Sequence, residues 1–219
     1  MKFRTDVVNF FKALIPGLPN SLVVGALRFF SIFSYIPKKK RILHFEENKD
    51  KDKGEYIEDQ NLLKSLPFGS TDMAYAGCEV IAVYNLLKTL GKYTGLNDLI
   101  EVFEKKGTVF NGYFGTSPYA LYMFLKKRGF DVICSSNKKV FPDIVNKSNV
   151  IIISFYNDYR NVMNMIHTVC VTKNPKGMLR AHNSVCKNEI YSDINSLEKH
   201  VGIENRAKIF FMIGIKNEE

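Results

Sequence analysis

Four cysteines (Cys78, Cys134, Cys170, Cys186) and four histidines (His44, His167, His182, His200) are the side chains of this 219-residue chain best suited to nucleophilic or metal chemistry. The cysteines contain no Cys-x-x-Cys pair and no dense framework, so neither a zinc site nor a disulfide scaffold is indicated, and free thiols are expected. A thiol attacks as its thiolate, and it needs a base that is itself held by an acceptor. Cys78 stands at the head of an apolar run (Val80, Ile81, Val83, Tyr84, Leu86, Leu87, Leu90) closed by Gly91, the pattern of a buried helix. A helix N-terminus offers unpaired N–H groups and about half a positive charge, which stabilise a thiolate. The small residues Ala74, Ala76 and Gly77 leave room there for a substrate backbone. The alternative is that Cys78 is buried filler, the commoner fate of a lone cysteine on an apolar helix. Cys134, Cys170 and Cys186 read as structural, Cys170 sharing a strand face with Thr168.

Among the histidines, His44 lies in the basic N-terminal region and His200 near the end of a surface helix. His167 and His182 fall on the two strands of a hairpin around Pro175-Lys176. Pairing outward from that turn puts Asn183 opposite His167, where its side-chain carbonyl would accept the ring N–H and fix the tautomer. His182 is the rival base, but strand alternation points it away from the face of Asn183. The site expected from these residues is therefore Cys78 as nucleophile, His167 as base and Asn183 as orienting residue.

The elements that must position these groups follow a simple order. Helices are expected at Cys78 to Leu90, Asn97 to Lys105, and from Pro118 to the stop at Gly129. Strands follow at Phe130 to Cys134, Val150 to Phe155, Ile166 to Thr172, Met178 to Ala181 and Lys208 to Ile215, with a short helix at Ser192 to His200. Helices first and a largely antiparallel sheet second make an α+β domain.

Cys78 in AGCEVIAVYNLL, His167 in HTVCV and Asn183 sixteen residues further on resemble the Cys-His-Asn triad of papain-fold cysteine peptidases. The segment FGSTDMAYAGCEVIAVYNLL is most similar to the bacterial bacteriocin-processing-peptidase-like group. The likeness covers about residues 66–215, and residues 1–60 have no counterpart. It implies a papain-like domain with the Cys-bearing helix packed on the sheet, and hydrolysis of a peptide or protein substrate through an acyl-enzyme with no cofactor or metal. Acyl transfer and deamidation use the same triad. From another class, the fold could serve as a non-catalytic interaction module. Many papain-fold peptidases carry a Gln six residues before the nucleophile that donates to the oxyanion, and here Asp72 stands in that place. A carboxylate cannot donate, which turns attention to Ser70, Thr71 or a main-chain amide.

Formal net charge is +9, but +7 of it lies in residues 1–41, where eight bases face Asp6 alone. The remaining body is near neutral and shows no basic, aromatic-lined groove, so nucleic acid is not an expected partner. The N-terminal region has no signal-peptide pattern, and Ser21 to Ile36, with Arg28 in its middle, is too short and charged to span a bilayer. Val7, Val8, Phe11, Leu14 and Ile15 recur at helical spacing, and Lys38 to Arg41 close the region with a basic run. Residues 1–45 thus read as a basic amphipathic arm that either lies on an anionic membrane or packs against the domain. Residues 46–61, almost wholly polar, read as a charged linker, and residues 62–219 as the peptidase-like domain. The expected location is the cytoplasm, with peripheral membrane contact through residues 1–41 if the arm is interfacial.

Overall fold

The computed structural model describes residues 18–48, 55–159, 166–186 and 188–216. The amphipathic pattern at Val7 to Ile15 lies outside them.

The chain enters through helices α1 (Asn20–Ile32) and α2 (Lys38–Asn48), passes a single 3-10 turn at Gln60–Leu63, and forms a two-residue hairpin, β1 (Pro67–Phe68) with β2 (Thr71–Asp72). Next come α3 (Met73–Ala76), α4 (Cys78–Thr89), α5 (Leu96–Lys105) and α6 (Pro118–Lys127). The second half holds β3 (Val132–Ser135), α7 (Phe141–Asn146), β4 (Ser148–Tyr156), β5 (Ile166–Lys173), β6 (Leu179–His182), α8 (Ile194–His200) and β7 (Lys208–Lys216). The five longer strands form one antiparallel sheet in the order β3-β7-β4-β5-β6. The class is α+β, and the main helices and strands fall within a few residues of the expected positions. Pro118 at the first position of α6 sets φ without wasting an N–H, and Gly129 at φ +85 ends it, each where its backbone chemistry is cheapest.

Strand alternation divides the interior in two. On one face, Val150, Ile152, Cys170 and Ile213 pack against Val80, Ile81 and Val83 of α4, together with Val23 and Leu27 of α1. On the other, Ile151, Ile153, Phe155, Val169 and Val171 meet Phe141 and Ile144 of α7 and Leu197 of α8. Helix α4 is buried from Cys78 through Leu87, consistent with a helix apolar on nearly every side.

The boundaries differ from those expected. Helix α1 contributes Val23, Val24 and Leu27 to the main core, so residues 20–32 are not a detached arm. Helix α2 packs on α5 and runs to Asn48, past the expected end of the arm. Its His44 is buried against Glu104, whose Oε1 also accepts the Gly69 main-chain N–H at 2.6 Å. The second half of the expected linker is also bound. The Ile57 N–H donates to Asn85 Oδ1 at 2.9 Å, and Glu58 Oε1 accepts from Arg180 at 2.8 Å and His182 Nδ1 at 2.9 Å. A charge-rich segment reads as solvated from its composition alone. Here the charge of Glu58 is met by partners on β6, more than a hundred residues later.

Candidate active site

Cys78 is the first residue of α4, following Gly77, whose absent Cβ matters for packing. A Cβ there would come within 2.5 Å of the Met73 carbonyl oxygen and within 2.6 Å of the Met73 side chain. The space at Gly77 is filled by the chain's own α3, not kept open for substrate as the run of small residues had suggested. The Cys78 side chain is buried and lines a narrow cavity of about 20 Å³. Its walls include Leu27 of α1, Tyr75, Phe114 and Ile166.

Two groups hold the sulfur. The thiol donates to Glu79 Oε2 at 3.2 Å, and the main-chain N–H of Thr168 near the start of β5 faces the sulfur and favours its thiolate form. Glu79 is itself 4% exposed, and its carboxylate accepts main-chain N–H groups from its own residue and from Thr116. Gly115, at φ +66, is where the loop passes the carboxylate, and a Cβ there would lie 2.9 Å from Glu79 Oε2. Burial pushes the Glu79 carboxyl up to about 7 against the lowering effect of these donors. Burial also pushes the Cys78 thiol well above its ordinary value, and the neighbouring Glu79 charge and hydrogen bond add to the rise. The helix-terminal field that favours a thiolate is thus opposed by desolvation and by a carboxylate one residue away.

Sequence reasoning missed Glu79, since a glutamate in a helix's first turn ordinarily complements the dipole from solvent. The available signal was its place directly after Cys78 in an otherwise apolar run.

His167 is the second residue of β5, paired with Phe155 of β4. Its ring meets the Phe155 ring edge-on at 5.6 Å, and Phe155 belongs to the core on the sheet face away from α4. Ile166, Thr168 and Cys170 alternate to the face of Cys78. Thr168 Oγ1 is 2.9 Å from Ser154 Oγ, a buried hydroxyl pair close to the thiol end of α4. Cys78 of α4 therefore faces the Thr168 side of β5, while the His167 side chain is directed to different surroundings on the other side.

Nε2 of His167 lies 2.7 Å from the main-chain carbonyl oxygen of Asn183. A carbonyl can only accept, so Nε2 carries the proton and Nδ1 is the basic nitrogen of the neutral ring. Burial lowers the His167 pKa and favours the neutral ring, an effect partly offset by the hydrogen bond to that carbonyl.

Asn183 does meet His167, but by a different atom from the one expected. In the observed register Cys170 faces His182, so continuing the ladder would bring Asn183 opposite Val169. Strand β6 ends at His182 instead, and Asn183 adopts φ 61, a left-handed conformation that asparagine tolerates. With the chain turned in this way, its backbone carbonyl reaches His167. Its side chain is committed elsewhere: Oδ1 accepts the Gln60 main-chain N–H at 2.9 Å, and Nδ2 donates to Gln60 Oε1 at 3.0 Å. Gln60 Nε2 donates in turn to the Ala74 carbonyl at 2.6 Å, joining the histidine side of the site to the helix before Cys78. His167, Asn183 and Gln60 border an open polar cleft of about 270 Å³.

The rival His182 stacks under Tyr56 with 4.5 Å between ring centroids, and bonds to Glu58 and Thr172. His182 and Arg180 lower the Glu58 pKa, outweighing burial, which acts in the opposite direction. This is a clamp for the segment after residue 55. Of the oxyanion-hole candidates, Asp72 caps α3 by accepting the Tyr75 N–H at 2.9 Å, as its place before a helix start favours. Thr71 Oγ1 donates to the Phe68 carbonyl at 3.1 Å, and the Ser70 main-chain N–H donates to the Asn111 carbonyl at 2.8 Å. The Asp72 and Thr71 contacts are local, and the Ser70 contact ties the hairpin before Cys78 to the loop at Asn111.

Comparison with protein-family models, with curated proteins and with solved structures finds no match.

Proposed function

We propose that the chain is a papain-like thiol hydrolase that cleaves a peptide amide, with Cys78 as nucleophile and His167 as base, and that Glu79 holds the site in a resting state. The observation that carries this reading is the strand start at β5, where the Thr168 amide faces the Cys78 sulfur and the adjacent His167 bonds the Asn183 carbonyl through Nε2, leaving Nδ1 as its basic atom. In the working state the His167 ring turns from Phe155 toward Sγ. Nδ1 then takes the thiol proton as sulfur bonds to the substrate carbonyl carbon, and the carbonyl electrons move to oxygen. Collapse of that intermediate breaks the C–N bond, and His167 returns the proton to the departing amine. Water then attacks the thioester, giving the acid and regenerating the thiol. If an amine replaces water, the same intermediate gives acyl transfer.

A second reading has its own observation. A buried thiol whose proton is retained by burial and by Glu79 suits a papain-like module that binds without catalysis. Turnover of a mixed peptide-amide library, followed by mass spectrometry, separates the two. Hydrolysis by wild type that is lost in Cys78→Ala and His167→Ala supports the hydrolase. No cleavage by a folded wild-type protein between pH 5 and pH 9 supports the binding module.

A further inference from the structure

The helical pair α1 and α2 is fastened to the body on one side and left apolar on the other. Val23, Val24 and Leu27 of α1 are buried, and His44 of α2 is buried against Glu104. The turn between the helices is also tied down: the Tyr35 N–H donates to Asn111 Oδ1 at 2.8 Å, and the Asn111 N–H donates to Ser34 Oγ at 2.6 Å. Yet Leu22, Phe29, Ile32, Phe33, Ile42 and Leu43 are all more than half exposed, with Ile32 at 70% and Phe33 at 71%. Phe29 and Phe33, four residues apart on α1, stand with ring centroids 4.9 Å apart and form a continuous ridge. A helix apolar all round is ordinarily buried all round, and exposed apolar surface of this kind marks an interaction site.

Charge identifies the partner. Lys38 and Lys39 of α2 lie four residues before Ile42 and Leu43, so these two exposed apolar side chains share a helix face with exposed ammonium groups, against the exposed carboxylate of Glu46 one turn on. That is the arrangement of an interfacial helix, with hydrocarbon below and cations at headgroup level. The sequence ahead of α1 adds Lys2, Arg4 and Lys12 against Asp6 alone. Among the described residues no helix is long and apolar enough to cross a membrane.

We propose that the outer face of α1 and α2 docks on the surface of an anionic lipid bilayer, with the Phe29–Phe33 ridge and Ile42–Leu43 entering the interface and Lys38–Lys40 meeting lipid phosphates. Leu27, on the inner face of α1, is a wall of the Cys78 cavity. Docking therefore sets that cavity about one helix diameter, ~10 Å, beneath the bilayer surface.

Flotation of the full chain with phosphatidylglycerol–phosphatidylcholine vesicles tests this. Wild type should float with them at low salt, be released by high salt, and ignore pure phosphatidylcholine. A Lys38→Gln, Lys39→Gln, Lys40→Gln variant should lose affinity about a hundredfold, at roughly fivefold per base. Phe29→Ser with Phe33→Ser should lose about a hundredfold or more, and neither set includes a buried position. Failure of wild type to float, or flotation unchanged in both variants, overturns the proposal. So does binding of a DNA or RNA oligonucleotide in preference to the vesicles, or a concentration-dependent dimer in sedimentation that Phe29→Ser with Phe33→Ser dissolves while wild type leaves the vesicles unbound.

Discussion

The Cys78 and His167 sides of the site are opposites. The cavity at the sulfur is about 20 Å³ and walled largely by apolar side chains including one from α1, with the thiol engaged by Glu79. The cleft at the imidazole is about 270 Å³, polar, and bordered by the segment around Gln60. The two adjoin β5 at successive residues: the sulfur lies on the Thr168 side of the strand and the imidazole belongs to His167, and neighbouring residues on a strand face opposite ways. The difference teaches that a proposed nucleophile and its proposed base can adjoin one strand and still be held apart by what each already binds. In the proposed mechanism, the His167 ring turns toward the closed side, where Leu27 and Glu79 border Cys78, before chemistry.

Leu27→Ala is the strongest way to break the contrast. It removes a fully buried side chain and should destabilise the protein by about 2–5 kcal/mol. It should also open the sulfur cavity, so that a small neutral alkylating reagent reaches Cys78 faster at a temperature where the variant is still folded. Unfolding curves and peptide-mapped alkylation read both effects, and an unchanged alkylation rate would mean that α1 does not gate the thiol.

Glu79→Gln sharpens the electrostatic half of the comparison. The folded-state pKa of about 7 lies above the ordinary 4.5, so the unfolded chain releases its proton first as pH rises. Wild-type stability should therefore fall between about pH 4.5 and 7 by about 3 kcal/mol from this group, and then level off. In Glu79→Gln that part of the decline should vanish, and the Cys78 thiol pKa should fall with the carboxylate gone. Thermal melts across that range for the two proteins, compared directly, give the answer.

Gln60→Ala addresses the open side. Losing the paired amide contacts should cost about 1–2 kcal/mol and loosen the left-handed turn at Asn183. The expected signature is a changed His167 titration by NMR, which a merely structural role for Gln60 would not produce. Asp72→Ala should have the smallest effect, a cap loss of about 1 kcal/mol. Asp72→Gln should leave turnover nearly unchanged, because this carboxylate binds Tyr75 and not the thiol cavity.

Much of this frame was legible in the sequence. The apolar run after Cys78, the Ser117-Pro118 start and the alternating strands carry local chemistry, and local chemistry decides where such elements lie. What was not legible is nonlocal. The hairpin register depends on where β6 stops, and Asn183 leaves the ladder to join Gln60, a residue more than a hundred positions earlier. Glu58 has the composition of a linker residue and the partners of a clamp. Glu79 becomes a buried acid only because Gly115 brings a distant loop against it.

The central claim is that Cys78 attacks with His167 as its base, and covalent trapping tests it most directly. A peptidyl acyloxymethyl ketone, incubated with wild type and with folded His167→Ala and mapped by mass spectrometry, should modify Cys78 in preference to Cys134, Cys170 and Cys186. The rate should drop by about a hundredfold or more in His167→Ala, as expected for loss of a general base. Modification spread over the four cysteines, or a Cys78 rate indifferent to His167, would contradict the account.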